Sequence, residues 1–305
     1  MGPTPLLALL TVSGGLGATI EDAIVRQAGP AWIGYTVPTI PGDRKHCDVG
    51  RVSGPVRLEG PTHVNILFRV VQAAVTKIRV YAVDCELDAG GLPLTMLPNV
   101  SPAESVAYLG KLAETHGDPA IHAIAMHAAQ EASAALEHFA AATQPTAVRK
   151  KALFWLANSR GKLGYALVSR VLREDANDKI REHAIFALTL SHEPQAIADI
   201  IRAAKEDKNA HVRGQALFWL AQKAARQAIG PINEALDRDP ETEVKKKAVF
   251  ALTQLPDGGV PNLIQVARTN ANSAVRKQAL FWLGQSRDPR ALRYLEEILA
   301  RPNLN

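Results

Sequence analysis

The sequence predicts a mainly α-helical solenoid that is preceded by a small α+β unit containing a β-hairpin. The first observation is a nine-residue segment, here called the strip, that recurs from residues 148, 180, 212, 244 and 275. Intervals of this size are typical of stacked helical repeats. The second observation is the helical spacing of apolar residues in and before each strip. The third is a run of β-branched and aromatic residues ahead of the repeats, which predicts strands.

Composition sets broad limits on the class of protein. The chain has 305 residues, of which 47% are hydrophobic, so it can bury a large core. Its 35 basic and 30 acidic residues are interspersed and leave a net charge of +5, which permits an anionic partner without requiring one. No stretch approaches the roughly 20 apolar residues of a membrane-spanning helix, so the sequence predicts no membrane span.

The sequence predicts three segments. Residues 1–18 form a leader-like or disordered segment, because an apolar run from Leu6 to Val12 is followed by small residues, although no Lys or Arg precedes it. Residues 19–100 form the small β-rich unit. Residues 101–305 form the solenoid.

The β-rich unit is predicted to open with a short helix that Thr19 caps. A strand follows at 32–38, and residues 64–70 and 77–83 alternate in the manner of two strands that pair as a hairpin around 71–76. After a turn-rich linker, Ser101, Pro102 and Glu104 have the spacing of a capping box, which predicts a helix from 102 to 115.

The two cysteines, Cys47 and Cys85, both precede the repeats and have no CxxC spacing that would suggest a metal site. Two interpretations stay open. A Cys47–Cys85 disulfide would close a loop of about 38 residues, contribute roughly 3–4 kcal/mol and indicate an exported protein, periplasmic or extracellular. Two free thiols would indicate a cytoplasmic one.

Three histidines, His122, His127 and His138, lie in an alanine-rich segment before the first full strip. His122 and His127 are five residues apart, which places them on different faces of a helix. We therefore expect surface or partly buried histidines and no metal site. The sequence predicts no cofactor either.

Each strip is predicted to be a helix that follows a shorter helix. The shorter helices have a proline in the first turn, at Pro194, Pro231, Pro261 and Pro289. Five residues before most strips stands a residue that can accept hydrogen bonds from the turn backbone, as at Asp175, Asp207 and Asp239. The second strip position is always basic, and its arginines are Arg149, Arg181, Arg213 and Arg276.

This pattern of a turn Asp, a basic residue and inner Ala and Leu resembles the HEAT repeat, in the short form of phycobilisome-lyase-type proteins. The resemblance covers about residues 120–299. It implies a right-handed solenoid, an inter-repeat ladder between the Asp and Arg residues, and a protein that scaffolds or binds. Lyase activity is not expected to carry over, because both cysteines lie outside the repeats.

The seventh strip position is always phenylalanine. On a helical wheel it lies near 240°, whereas the inner Ala and Leu lie near 40–80°. We expect this column to line the concave face, with basic residues beside it. The predicted binding residues are Phe154, Phe186, Phe218, Phe250, Phe281, Lys150, Lys246 and Lys277.

Two interpretations of the phenylalanine column stay open. The rings pack between repeats and are largely buried, or they form a partly exposed ladder at intervals of roughly 8–10 Å that binds a protein segment. The strip tryptophans, Trp155, Trp219 and Trp282, are predicted to serve mainly in packing.

The predicted function is a non-enzymatic scaffold that binds a peptide or protein segment on the concave face. The alternative is nucleic-acid binding, which the sequence pI of 9.2 favours but which acids such as Glu182 oppose, because they interrupt the basic stripe. No arrangement of nucleophile, base, paired carboxylates or phosphate loop nominates a catalytic residue.

Overall fold

The computed structural model describes residues 19–40, 62–256 and 259–300. The predicted leader-like segment 1–18 and Cys47 lie outside these residues. The chain divides into two compact units, 1–159 and 160–305. The division falls between two helices, and within the first unit the strands share a core with the first helices. The predicted boundary at residue 100 stays a prediction. No helix among the described residues is long and apolar enough to cross a bilayer.

The first unit begins with helix α1 (Ile20–Val25), which Thr19 caps as predicted. A four-stranded sheet follows, ordered β3-β2-β1-β4. Its strands are β1 (Ala31–Pro38), β2 (His63–Val71), β3 (Ala74–Ala82) and β4 (Leu94–Met96). Strands β1, β2 and β3 are antiparallel neighbours, whereas β4 lies parallel to β1.

The β2–β3 hairpin is tighter than the predicted loop of 71–76. Only Gln72 and Ala73 connect the strands, and both have positive φ angles, 50° and 57°. Two consecutive residues of this conformation turn the chain with the twist that adjacent strands need. The apolar pattern located the strands correctly, but no glycine or asparagine marked a two-residue turn.

Strand β4 was not predicted, and its neighbour β1 shows why it fits. A Cβ atom on Gly34 would lie 2.4 Å from Leu67 Cδ2 and 3.0 Å from Met96 Sδ. The absence of a side chain at Gly34 therefore lets the side chains of β2 and β4 close over β1.

Four helices complete the first unit: α2 (Pro102–His116), α3 (Asp118–Met126), α4 (Gln130–Ala140) and α5 (Thr146–Ser159). The Ser101 hydroxyl accepts a hydrogen bond from the Glu104 backbone N–H at 3.1 Å, which is half of the predicted capping box. The Glu104 carboxylate instead accepts from the backbone N–H of Ile20 at 2.8 Å. This bond joins α1 to α2.

Aromatic contacts place the core of this unit between the sheet and α2. The Tyr35 and Phe68 rings lie 5.8 Å apart, and Phe68 meets Tyr108 of α2 edge-on at 5.6 Å. Burial raises the pKa of Tyr108 to about 12. The sheet is thus packed into the helical part of the unit.

The second unit consists of paired helices, as the repeat predicts. They are α6 (Gly161–Glu174), α7 (Asp178–Leu190), α8 (Gln195–Glu206), α9 (Ala210–Lys223), α10 (Ala225–Arg238), α11 (Thr242–Leu252), α12 (Val260–Thr269), α13 (Ser273–Gln285) and α14 (Pro289–Ala300). The strips form α5, α7, α9, α11 and α13. In the second unit each strip helix packs against the helix before it and against neighbouring strip helices.

One helix start was predicted wrongly. Pro231 lies inside α10 and not in its first turn, because the helix already begins at Ala225. A proline within a helix removes one backbone hydrogen bond and is normally costly. Gly230, the residue before it, has no Cβ to crowd the proline ring.

Candidate functional site

The same type of hydrogen bond recurs in the turns between paired helices. Oδ1 of Asp175, Asp207 and Asp239 each accepts from the backbone N–H two residues later, at 2.8–2.9 Å. Asn270 does the same at 3.0 Å. This short-range bond fixes each turn and leaves the second carboxylate oxygen directed elsewhere.

Two turn aspartates form the inter-repeat ladder with arginines 26 residues earlier. Arg181 Nε and Nη2 donate to Asp207 at 2.8 and 2.9 Å. Arg213 donates in the same way to Asp239 at 2.7 and 2.9 Å. The Arg181 and Asp207 side chains are only 2% and 5% exposed, so this bidentate pair is buried between successive repeats.

The pKa values reflect this pairing. The hydrogen bond from Arg181 to Asp207 raises the pKa of Arg181 against the opposing effect of burial. Burial alone would raise the pKa of Asp239, but hydrogen bonds from Arg213 and from the Glu241 backbone lower it below its ordinary value. Arg181, Arg213 and Asp239 therefore stay charged at neutral pH.

The basic residues at the same position of the other strips also donate to backbone carbonyls. Arg149 Nε donates to the Ala140 carbonyl at 3.0 Å. Arg276 Nη1 donates to the carbonyls of Asn270 and Ala271, at 2.8 and 3.0 Å. Lys245 occupies the basic position of the fourth strip, and its Nζ bonds the Asp237 carbonyl at 3.1 Å.

In the second unit the strip aromatics form one continuous series of contacts, here called the aromatic row. The five contacts, by ring centroids, are Phe186–Trp219 at 4.9 Å, Trp219–Phe218 at 5.0 Å, Phe218–Phe250 at 5.8 Å, Phe250–Trp282 at 5.2 Å and Trp282–Phe281 at 5.1 Å. Phe218 and Phe250 stack at 5.8 Å, which is closer than the predicted 8–10 Å, whereas Trp219 and Trp282 link the phenylalanines of the other two pairs of neighbouring repeats. The tryptophans belong to the row as well as to the packing.

The row is neither fully buried nor fully open. Phe186, Phe218 and Phe250 are half-buried, and Phe281 is 54% exposed. The rings are therefore partly buried between repeats and partly exposed, and the binding of a protein segment to them stays a prediction.

Phe154 belongs to the first unit. Its ring lies 4.9 Å from that of Trp155, which also stacks on His122 at 4.5 Å. His122 therefore serves as an aromatic neighbour here. The expectation of a surface or partly buried side chain holds for His122 and for exposed His138, but His127 is completely buried.

In three strips a lysine stands one turn before the strip phenylalanine of the same helix. Lys277 is exposed, Lys150 is half-buried, and Lys246 pairs with Glu243 at 2.8 Å. Lys247 reaches across Gly214, where a Cβ atom would lie 2.3 Å from its Cδ.

Lys247 ends a polar chain that crosses three repeats. Its Nζ lies 2.8 Å from His211 Nδ1, and His211 Nε2 lies 3.5 Å from the Glu182 carboxylate. Burial lowers the pKa of Lys247, while the carboxylates of Glu182 and Glu243 oppose that shift.

Sequence reasoning missed a buried hydrogen-bond chain in the first unit. His127 Nδ1 lies 2.8 Å from the Ala123 carbonyl, so this nitrogen carries the proton and donates. In the neutral ring Nε2 then accepts from the Ser105 hydroxyl at 2.8 Å, and Tyr35 donates to Ser105 at 2.6 Å. No sequence motif signals this chain, because its members come from β1, α2 and the end of α3.

Ser105 and His127 have the contact of a nucleophile and its base, but both are completely buried. A substrate cannot reach them in this arrangement, so their role is structural. Among the described residues, no cluster of His, Cys, Asp and Glu can hold a metal ion. Cys85 is half-buried after β3, whereas its predicted partner Cys47 lies outside the described residues, so the Cys47–Cys85 disulfide stays a prediction.

Comparison with known proteins supports the class that the fold defines. Residues 229–304 match the family model described as HEAT repeats. The same strip and turn pattern extends through the earlier helical pairs. The chain therefore contains HEAT repeats, matched at residues 229–304, and has an N-terminal strand unit.

Similar solved structures are distant. The YibA protein of Escherichia coli has 19% identity and a TM-score of 0.38, over 55% of this chain and 64% of that one. Human deoxyhypusine hydroxylase, solved with glycerol, has 17% identity and a TM-score of 0.36, over 63% and 72%.

A third neighbour is the CpcE–CpcF complex of phycocyanin lyase from a Nostoc species, with 17% identity and a TM-score of 0.34, over 68% and 91%. The chain spans less than two thirds of the length of YibA. No curated protein matches the chain.

Proposed function

We propose that the protein is a non-catalytic scaffold that binds an acidic or amphipathic segment of another protein along the aromatic row. The observation that carries the proposal is the continuity of the row from Phe186 to Phe281 while its rings stay partly exposed. Aromatic rings that are held in place by neighbours bind apolar side chains at little entropic cost, and aromatics are favoured anchors at interfaces.

Charge favours an acidic segment. Lys246, Lys247 and Lys277 lie within a turn of Phe250 and Phe281 on the same helices. Lysines at the margin of an apolar groove attract carboxylates and speed association more than they raise affinity.

Polar amides border the opposite side of the row. Gln222 donates to Gln254 at 2.8 Å, and both side chains follow a row phenylalanine by one turn. Such amides can exchange their mutual bond for bonds to a peptide backbone.

The direct test uses peptides selected by phage display on the full chain. We expect selected peptides to combine acidic and large apolar residues. The double variant Phe218→Ala/Phe250→Ala should weaken their binding at least about tenfold, the effect of removing interface anchors. Fluorescence anisotropy with a labelled selected peptide measures this.

The matched control is Leu163→Ala on α6, which removes an exposed apolar side chain away from the strip helices. Its affinity should equal that of the unmodified chain. Unchanged binding by the double variant, with circular dichroism showing an intact fold, would contradict the proposal.

We further propose that the protein works in an oxidising compartment, periplasmic or extracellular. The proposal rests on the predicted Cys47–Cys85 disulfide, since disulfides are rare in a reducing cytosol. Thiol titration of the denatured chain should detect no free thiol before reduction and two afterwards. Two thiols before reduction would favour a cytoplasmic protein.

A further inference from the structure

The C-terminal end of the second unit presents an apolar surface that the repeat pattern covers everywhere else. Aligning Pro194 with Pro289 places Leu295 and Leu299 of α14 at the positions of Ile200 and Ala204 in α8. Helix α9 packs against α8, and Ile200 and Ala204 are 0% and 2% exposed. Leu295, by contrast, is only half-buried, and Leu299 is 86% exposed.

The last strip helix shows the same difference. The sixth strip residue is completely buried in the earlier strip helices of this unit, as Ile185, Leu217 and Val249. Its counterpart in α13, Leu280, is only half-buried. Helices α13 and α14 therefore present the surface on which another strip helix would pack.

Arg276 adds hydrogen-bond donors to this apolar surface. Its Nη1 bonds the carbonyls of its own turn, as Arg181 Nη1 and Arg213 Nη1 do. In those two arginines, Nε and Nη2 also bind the aspartate of the next turn. Among the described residues, Nε and Nη2 of Arg276 have no acceptor, although the side chain is already held in place by its turn.

We propose that this end face, formed by Arg276, Leu280, Leu295 and Leu299, binds an amphipathic helix of a partner protein with a carboxylate just ahead of its first turn. The helix takes the place that α9 takes beside α7 and α8. Its carboxylate accepts from Arg276 Nε and Nη2, and its apolar stripe covers the three leucines.

A second copy of the chain fits the end face less well. Asp207 and Asp239 of any copy are already paired with its own Arg181 and Arg213. The residue 26 positions after Arg276 is Pro302, which has no carboxylate. These pairings favour an acid from a partner protein over the ladder aspartates of a second copy.

The test uses helix α9 as the probe, because α9 already packs on the corresponding surface of α7 and α8. A fluorescein-labelled peptide that copies residues 205–223, and so contains the Asp207 turn and α9, is titrated with the full chain. We expect saturable binding by anisotropy. Arg276→Gln and Leu299→Ser should each weaken it at least fivefold, whereas Arg293→Gln, an exposed arginine of α14, should leave it unchanged.

A second peptide carrying Asp207→Asn isolates the charge pair. It should bind the unmodified chain about as weakly as the original peptide binds the Arg276→Gln variant. On that variant it should show no additional loss, since the two changes remove one interaction.

A short peptide loses affinity when it folds on binding, so a tethered form removes that ambiguity. The same segment is joined to Asn305 through a Gly/Ser linker of about 15 residues, which raises its effective concentration to the millimolar range. Amide hydrogen exchange in α14 should then slow at least tenfold, and Arg276→Gln should reverse the effect.

Unchanged exchange in the tethered form overturns the proposal. A concentration-dependent dimer in sedimentation that Leu299→Ser abolishes also overturns it, because a second copy would then occupy the end face. Neither result bears on the aromatic row, whose peptide binding is measured with different variants.

Discussion

Replacing Asp207 with alanine is expected to lower the free energy of unfolding by about 3–5 kcal/mol. The change leaves the Arg181 guanidinium buried, 2% exposed, without the carboxylate that neutralises it. Removing one partner of a buried ion pair has this magnitude because the remaining charge is desolvated and uncompensated. Urea denaturation followed by circular dichroism measures the loss.

The control is Glu234→Ala, which removes the partner of Lys205 in an ion pair that is about 40% exposed on both sides. An exposed pair contributes little to stability because water screens the charges, so only a small change is expected. Replacing Arg181 and Asp207 together by Met and Leu should recover much of the stability. Equal losses for Asp207→Ala and Glu234→Ala would show that the ladder pair is not buried.

Replacing Gly259 with alanine is expected to cost at least about 2 kcal/mol. Gly259 has a φ of +58°, and a Cβ there would lie 2.2 Å from the Leu252 carbonyl oxygen. The left-handed conformation alone costs about 1–2 kcal/mol with a side chain, and the contacted atom belongs to backbone that cannot rotate away.

The same substitution at Gly284 should have the opposite sign. Gly284 lies within α13, and a Cβ there would meet nothing within 4 Å. Gly284→Ala is therefore expected to stabilise the fold by about 0.5–1 kcal/mol, the usual gain in a helix. Thermal denaturation of both variants decides this, and a destabilised Gly284→Ala would contradict it.

Local signals predicted most elements of the fold. The 32-residue period located every strip helix, and Thr19 and Ser101 marked two helix starts correctly. The second half of the Ser101 capping box depends on a contact 84 residues away, because Glu104 binds Ile20. Strand β4 and the start of α10 likewise depend on packing that no short window of sequence contains.

The sequence was sufficient to predict which phenylalanines form the candidate site. It was not sufficient to predict the ring contacts between neighbouring repeats. A helical wheel places Phe218 and Phe250 on one face, but it contains no information about the neighbouring repeat. The alternation of tryptophan with alanine at the next position decides the geometry. Trp219 and Trp282 each reach the phenylalanine of the preceding repeat, whereas Ala251 lets Phe218 and Phe250 stack with an interplanar angle of 2°.

The Tyr35–Ser105–His127 hydrogen-bond chain ties the N-terminal sheet to helices α2 and α3. Removing the strands would leave the Ser105 hydroxyl without its donor in the interior and would uncover the apolar face of α2. We therefore expect a variant that begins at residue 101 to fold poorly without the strands, although residue 100 separates strands from helices in the sequence.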